Sequence, residues 1–231
     1  MIFYNNITKV YPPNLTKKEN TVLENISFKV ERGDFASIVG KSGAGKTTLF
    51  KMLLREEEPT EGNIFFDGRN VQEMPARESC VLRRKIGTIF QDYKLLPSKT
   101  IYENIAYAME VTGAPDGEIK RYVPEALEMV GMVKQAMHFP HEVSGGEKQR
   151  TAIARALIHD PDVILADEPT GDLDPYHTRE VLKLLLKLNK EGTTVLLATH
   201  DKEVVNDLGR RVITLKDGKI VSDSKQGRFI L

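Results

Sequence analysis

The sequence has little cysteine: Cys80 is the only one. No disulfide can form within the chain, and a reducing compartment is expected. With no metal-ligating or triad-like neighbours, this thiol reads as inert and half-buried. Long apolar runs are missing too. The longest, such as VILA and VLLA, fall far short of the roughly 20 residues that cross a bilayer, so any membrane association must come through a partner. The stretch MIFYNNITKV lacks a basic segment followed by an apolar one, so no secretory leader is expected in it. There is no excess of either charge. Lys plus Arg number 33 and Asp plus Glu 33, which argues against a general nucleic-acid binder. A guanine-reading Asn-Lys-x-Asp stretch is also absent. The only Asn-Lys pair, Asn189-Lys190, runs into Glu191-Gly192 and reads as the end of a helix.

The 231 residues, 40% hydrophobic and 29% charged, suit one soluble globular domain with a sizeable core. Short apolar strands alternate with amphipathic helices. DFASIVG (34–40), KIGTIF (85–90), DVILAD (162–167) and TTVLLATH (193–200) read as buried strands of a mostly parallel sheet covered on both faces, an α/β fold. In HTREVLKLLLKLNK, Val181, Leu185 and Leu188 share one helical face, and Asp174-Pro175 supplies the cap and first turn. Residues 1–30 and 62–72 read as antiparallel strands, with an Asp-Gly turn in FFDGRN. VITLKDGKIVSD reads as a hairpin turning at Asp217-Gly218. Residues 92–158 contain no convincing strand and read as three or four helices. The expected organisation is therefore one domain over 1–231: a core of 1–91 and 159–231 with an antiparallel β subdomain, and an inserted helical lobe at 92–158.

GKSGAGKT at 40–47 matches the phosphate-binding pattern G-x-x-x-x-G-K-[ST], with a strand before it and a helix after it. Gly40, Gly43 and Gly45 let the backbone curl so that its N–H groups point at phosphate oxygens, with Ser42, Ala44 and Thr48 completing the turn. Lys46 is expected to reach the β- and γ-phosphates and Thr47 to hold Mg²⁺. VILADEP at 163–169 supplies the metal half. Asp167 suits the magnesium-side carboxylate, and Glu168, one residue on, is placed to polarise an attacking water. These two elements leave GTPases, kinases and motors open; without a guanine motif, the nucleotide is read as ATP. A second glycine pair, in HEVSGGEKQR at 141–150, also opens a helix, where bare amides attract phosphate.

SGGEKQR resembles the signature motif of the ABC-type ATPases, and that family's other motifs follow in order. Gln91 in FQD matches the Q-loop, GDLDP at 171–175 the D-loop with Asp174, and His200 in LATHD the switch histidine. Tyr11 falls where the family stacks an aromatic ring on adenine. The resemblance covers essentially the whole chain. It implies an ATP-hydrolysing enzyme in which Gln91 joins Thr47 and Asp167 at Mg²⁺, and His200 contacts the γ-phosphate. Ser144, Gly145, Gly146 and Glu147 would face the nucleotide of a second chain in a head-to-tail homodimer that sandwiches ATP. Val143 for leucine, Lys148 for glutamine and Lys41 for proline are the departures, and none removes a catalytic group.

Residues 83–113, with the Asp after Phe-Gln, LLP and YENIAYAMEV, are similar to the FtsE-like cell-division branch of the family. That branch implies an FtsX-like integral membrane partner, a place at the inner face of the cell membrane through that partner, and control of cell-wall hydrolases. A lipoprotein-release or macrolide-export ATPase is the alternative. The partner contact is expected in the groove after Gln91, where Tyr93, Leu95, Leu96 and Tyr102 are either a docking surface or ordinary core of the lobe.

Overall fold

A computed structural model describes residues 1–12 and 20–227; residues 13–19 of the expected N-terminal antiparallel region lie outside the described residues. Along the chain come β1 (Ile2–Tyr11), β2 (Asn20–Val30), β3 (Phe35–Val39), α1 (Lys46–Leu53), β4 (Glu61–Phe66), β5 (Arg69–Asn70), α2 (Ser79–Arg84) and β6 (Ile86–Phe90). Then follow α3 (Ile101–Glu110), α4 (Asp116–Met129), α5 (Gly145–Leu157), β7 (Val163–Asp167), α6 (Pro175–Lys190), β8 (Thr194–Thr199), α7 (Lys202–Leu208), β9 (Arg211–Lys216) and β10 (Lys219–Ser224). They divide into two compact units. One takes in Met1–Arg83 and the chain from Thr194 onward, the other Arg84–Thr193. The fold is α/β.

In the first unit, β1 lies between β2 and β4, antiparallel to both, with Ile2 opposite Val30 on one side and Phe66 on the other. β4 turns into β5 through Asp67 and Gly68, at φ 49° and 79°, the conformation a two-residue hairpin needs. Asp217-Gly218 does the same between β9 and β10, at φ 48° and 75°. β3 runs parallel to β8 and to β9. Every residue of β3 and β8 is buried, so their mostly apolar runs are those of strands covered on both faces. Tyr4 ties the antiparallel sheet to α1. Its fully buried ring stacks on Phe28 at 4.6 Å, and its hydroxyl donates to the Leu49 carbonyl at 3.0 Å. Burial drives this phenol's pKa upward, and the hydrogen bond is what makes a buried hydroxyl tolerable.

In the second unit, β6 and β7 are parallel, in register from Ile86–Val163 to Phe90–Asp167. Between them in sequence, residues 92–158 hold α3, α4 and α5. α5 approaches β6 so closely that a methyl group at Gly87 would stand 2.5 Å from the Ala156 carbonyl oxygen. The segment leading into α3 is fixed by the buried Asn104. Its amide donates to the carbonyls of Leu96, Lys99 and Thr100, and its oxygen accepts from the Leu96 N–H at 2.7 Å. Thr100 and Glu103 close a capping box on α3. α7 is an element the sequence pattern did not single out. On α2 only Leu82 is buried, which leaves Cys80 exposed rather than half-buried. No helix among the described residues is long and apolar enough to cross a membrane.

Candidate functional site

The phosphate loop follows β3 in the first unit. Gly40 cannot carry a side chain, because a methyl group there would stand 2.7 Å from the Leu215 carbonyl oxygen on the neighbouring β9. Gly43 and Gly45 adopt φ of 81° and 97°, a region that favours glycine. Gly45 is the cap residue of α1, where no side chain closes the helix start and no acidic residue occupies the first turn. These amides are therefore presented to an anion. Lys46 is buried, and its ammonium donates to the carbonyls of Gly40 at 2.8 Å and Lys41 at 3.3 Å. Ser42, Gly43 and Thr47 are exposed, and Ala44 and Thr48 half-buried. A cavity of about 310 Å³ lies beside residues 41–44, walled by Val22 and the hairpin at 215–218.

Two further predicted residues meet this loop within the same unit. Val39 pairs with Thr199, so Gly40 and the exposed His200 leave adjacent parallel strands at one level. Tyr11 is tied down by its hydroxyl, which donates to the Glu57 carboxylate and also bonds Thr48 in the first turn of α1. The Lys9 ammonium lies 4.9 Å from the centre of its ring. Burial raises the Tyr11 pKa, the carboxylate adds to the rise, and Thr48 opposes it. Glu57 is a residue the sequence motifs did not single out.

The remaining candidates belong to the second unit. Phe90 pairs with Asp167, so Gln91 and Glu168 follow paired positions on neighbouring strands. Asp167 and Glu168 are half-buried. Glu168 adopts φ 48°, a left-handed conformation uncommon for a residue with a side chain and a form of strain that gathers at functional sites. Its carbonyl accepts from the Gly171 N–H at 3.2 Å, turning the chain into the D-loop. That loop receives Gln91: the amide donates to Asp172 at 3.3 Å, and a methyl group at Gly171 would stand 3.1 Å from the Gln91 side chain. Tyr93 and Lys94, next along, take φ of 56° and 48°. Arg155 on α5 holds them there, donating to their carbonyls at 2.8 and 2.6 Å. Burial pulls the Arg155 pKa down, against the opposing pull of Asp92.

The signature is a capped helix start. The Ser144 hydroxyl accepts from the Glu147 N–H at 3.3 Å, while the Glu147 carboxylate accepts from the Ser144 N–H at 2.8 Å and from its hydroxyl at 2.9 Å. Gln135 donates to the other carboxylate oxygen at 3.0 Å. The Ser144 backbone N–H, ahead of the cost of burial, holds the Glu147 carboxyl below the usual carboxylate range. Gly145 and Gly146 occupy the first two helical positions. A methyl group at Gly145 would stand 3.1 Å from the Tyr93 hydroxyl, and one at Gly146 would stand 2.2 Å from the His177 ring. Asp174 caps α6, accepting from the N–H groups of Tyr176 and His177. His177, Arg155 and Gln135 were not picked out by motif, and Asp172 lies in the D-loop stretch without having been singled out. Only the pairing of Asp174 with His177, three residues on, has the spacing of neighbours on a helix.

A model of the family described as "ABC transporter" matches residues 23–171. The cell division ATP-binding protein FtsE of Streptococcus pneumoniae serotype 2 is 48% identical over 209 residues, covering 90% of this chain and 91% of that one. The methionine import ATP-binding protein MetN 1 of Bacillus thuringiensis subsp. konkukian is 40% identical over 226 residues, 97% of this chain and 66% of that one. Among solved structures, the dimeric post-hydrolysis state of the ATP-binding cassette MJ0796 bound to ADP and Pi superposes with a TM-score of 0.88. It is 35% identical and covers 99% of this chain and 100% of that one. On that family match, and on relatives this similar over nearly the whole chain, the chain belongs to the ABC transporter family and is one of its ATPases.

Proposed function

We propose that this ATPase serves cell division as the cytoplasmic subunit of an FtsE–FtsX-like membrane complex. ATP closes two chains head to tail, and closure acts through the membrane partner to control peptidoglycan hydrolases. The observation that carries the reading is the match to a cell-division ATP-binding protein along nine tenths of both chains. The loop at 40–48 binds the phosphates, with Lys46 on the β- and γ-groups and Tyr11 against adenine. Glu168 orients or deprotonates the attacking water, and His200 contacts the γ-phosphate. Ser144, Gly145, Gly146 and Glu147, with Asp174 in the D-loop, border the nucleotide of the other chain. Positioning supplies most of the catalysis in phosphoryl transfer, so closure and rate are linked.

The donors expected for magnesium are the Thr47 hydroxyl, the Gln91 amide oxygen and the Asp167 carboxylate, all hard oxygen ligands. The pairing of Phe90 with Asp167 sets Gln91 one residue beyond Asp167 on the neighbouring strand, which fits a shared ion. Bound there, magnesium neutralises phosphate charge.

The partner is assigned to the second unit, after Gln91. Tyr93, Leu95, Leu96 and Tyr102 are half-buried. A cavity of about 660 Å³ lies farther along, where Met109, Pro115, Tyr122 and Met129 stand among Arg84, Glu118, Glu125, His159 and Asp160, with Val111 62% exposed nearby. Such a mixed surface suits an amphipathic helix.

Capture of the tagged chain from membranes is expected to bring down an FtsX-like protein with a large external domain. A partner with a lipoprotein-binding external domain would transfer the assignment to the second reading, a lipoprotein-release or macrolide-export ATPase. That reading draws on the methionine-import relative, whose name places a similar cassette in transport. For the two-chain mechanism, Glu168→Gln is expected to form an ATP-dependent dimer by light scattering. A monomer even with the membrane partner present would overturn it.

A further inference from the structure

Gly146 is covered by a side chain of its own chain. The three atoms nearest a methyl group built there all belong to His177: Cδ2 at 2.2 Å, Cγ at 2.6 Å and Nε2 at 2.9 Å. The ring does not lie there loosely. Its Nδ1 bonds Asp174 Oδ2 at 2.5 Å, while Oδ1 of the same carboxylate accepts from the backbone N–H of Tyr176 at 2.8 Å and of His177 at 3.0 Å. The Tyr176 ring meets the imidazole edge-on at 5.4 Å. One carboxylate thus caps α6 and orients a ring against the first turn of α5.

That first turn needs an outside support. Two consecutive glycines at the start of α5 carry a conformational cost relative to alanine. The Ser144–Glu147 box closes the cap but does not touch the outer side of Gly146. The same short stretch that supplies His177 also holds Gln91, through Asp172 at 3.3 Å. Residues 172–177 therefore brace both the Q-loop glutamine and the signature glycine.

We propose that Asp174 and His177 form a latch on the signature. The seated ring fixes the start of α5 against the start of α6, and so presents the Gly145 and Gly146 amides in register to the terminal phosphate of a nucleotide on a second copy of the chain. His177 is a positioning residue for hydrolysis, acting through Gly146. This rests on the reading of the signature as the phosphate site of the other chain.

The test uses the full chain and three readings: ATP affinity of the isolated chain, kcat at saturating ATP, and ATP-dependent dimerisation in the Glu168→Gln background. His177→Ala is expected to lower kcat by about tenfold, the scale of a lost hydrogen-bonded contact, and to weaken the dimer, with nucleotide affinity unchanged. His177→Phe keeps a ring beside Gly146 and is expected to recover most of the rate. His177→Asn keeps a donor for Asp174 but leaves the space open, and is expected to stay slow. Because both positions act through one contact, Gly146→Ala combined with His177→Ala should be no slower than Gly146→Ala alone. The latch is overturned by an unchanged kcat in His177→Ala, by rescue with Asn but not Phe, by additive losses, or by affinity falling along with rate. A Glu168→Gln chain that stays monomeric with ATP and partner overturns the two-chain reading and the latch together. A Glu168→Gln dimer that His177→Ala leaves equally tight overturns the latch alone.

Discussion

In the loop at 40–47 the closing bonds are local. Lys46 donates to carbonyls five and six residues back, and the Ala44 N–H reaches the Lys41 carbonyl at 3.1 Å. In the turn at 144–147 the contacts beyond the capping box come from far along the chain: Gln135 on Glu147, Tyr93 beside Gly145 and His177 on Gly146. Both are glycine-bearing helix starts suited to phosphate. The first is closed by its own hydrogen bonds, although Gly40 packs on Leu215 and Gly45 on Val22 and Leu23. The second is a capped turn to which three other segments add a hydrogen bond and side-chain packing. Nucleotide binding should therefore follow the first region, and turnover should follow the second together with the strand end at 167–168.

The largest effect that sharpens this division is expected at Glu168. Replacing it with Gln should lower kcat by about 10²–10⁴, the usual worth of a general base, without loss of nucleotide affinity. Glu168→Gly should lose the same rate yet melt higher. Relief of about 1 kcal/mol of left-handed strain raises Tm by about 2–4 °C in a chain of this size. Calorimetry of the two variants side by side is the check. A glycine variant that melts no higher than the Gln variant would show that φ 48° carries no strain.

Next in size is Lys46→Ala. Loss of charge-assisted hydrogen bonds worth about 1.5–3 kcal/mol should weaken ATP binding by about 10–100-fold, read by titration calorimetry on the isolated chain. Gly146→Ala should leave that affinity unchanged while impairing turnover, since its methyl group meets His177 at 2.2 Å and not the phosphate loop. Equal losses of affinity in both variants would erase the proposed distinction.

The same contrast explains what could be read from sequence. The phosphate loop, the Asp-Gly turns at 67–68 and 217–218 and the Asp174-Pro175 cap are local devices, written in neighbouring residues, and each was legible. Contacts made by a side chain across tens of residues have no such pattern. Arg155 reaches back to Tyr93 and Lys94, Asp172 meets Gln91 and His177 covers Gly146, yet each looks like an ordinary polar helix or loop residue. The left-handed Tyr93 and Lys94 were equally hidden, because neither residue type favours positive φ. Their conformation is imposed by the arginine.

That imposed conformation gives a smaller effect. Arg155→Met would leave the carbonyls of Tyr93 and Lys94 without their donors, at a cost of about 1–3 kcal/mol. The denaturation midpoint should fall with its slope unchanged. Arg155→Lys should recover only part of this, because one ammonium does not reproduce a planar two-nitrogen fork.

The smallest effect separates two capping boxes of the same kind. Thr100–Glu103 opens α3 with Thr100 buried, and Ser144–Glu147 opens α5 with Ser144 exposed. Loss of either cap hydroxyl to alanine should cost about 1 kcal/mol, but only the second should also slow turnover, because only that turn faces phosphate in the proposed dimer. Acid offers an independent reading of the signature box. Glu147 is held below the usual carboxylate range, first by the Ser144 backbone N–H and also by its hydroxyl. A carboxyl with a lowered folded pKa stabilises the fold above its unfolded pKa, about 4.3, and loses that contribution as pH falls through the folded value. Glu147→Gln should therefore flatten the fall of Tm below about pH 5 relative to the unaltered chain. Ser144→Ala should retain most of the slope, because the backbone donor that dominates the shift survives the substitution. Melting curves for the three chains, taken stepwise into acid, test that order; a slope lost in Ser144→Ala would assign the anchoring of Glu147 to the hydroxyl, the group proposed to meet phosphate.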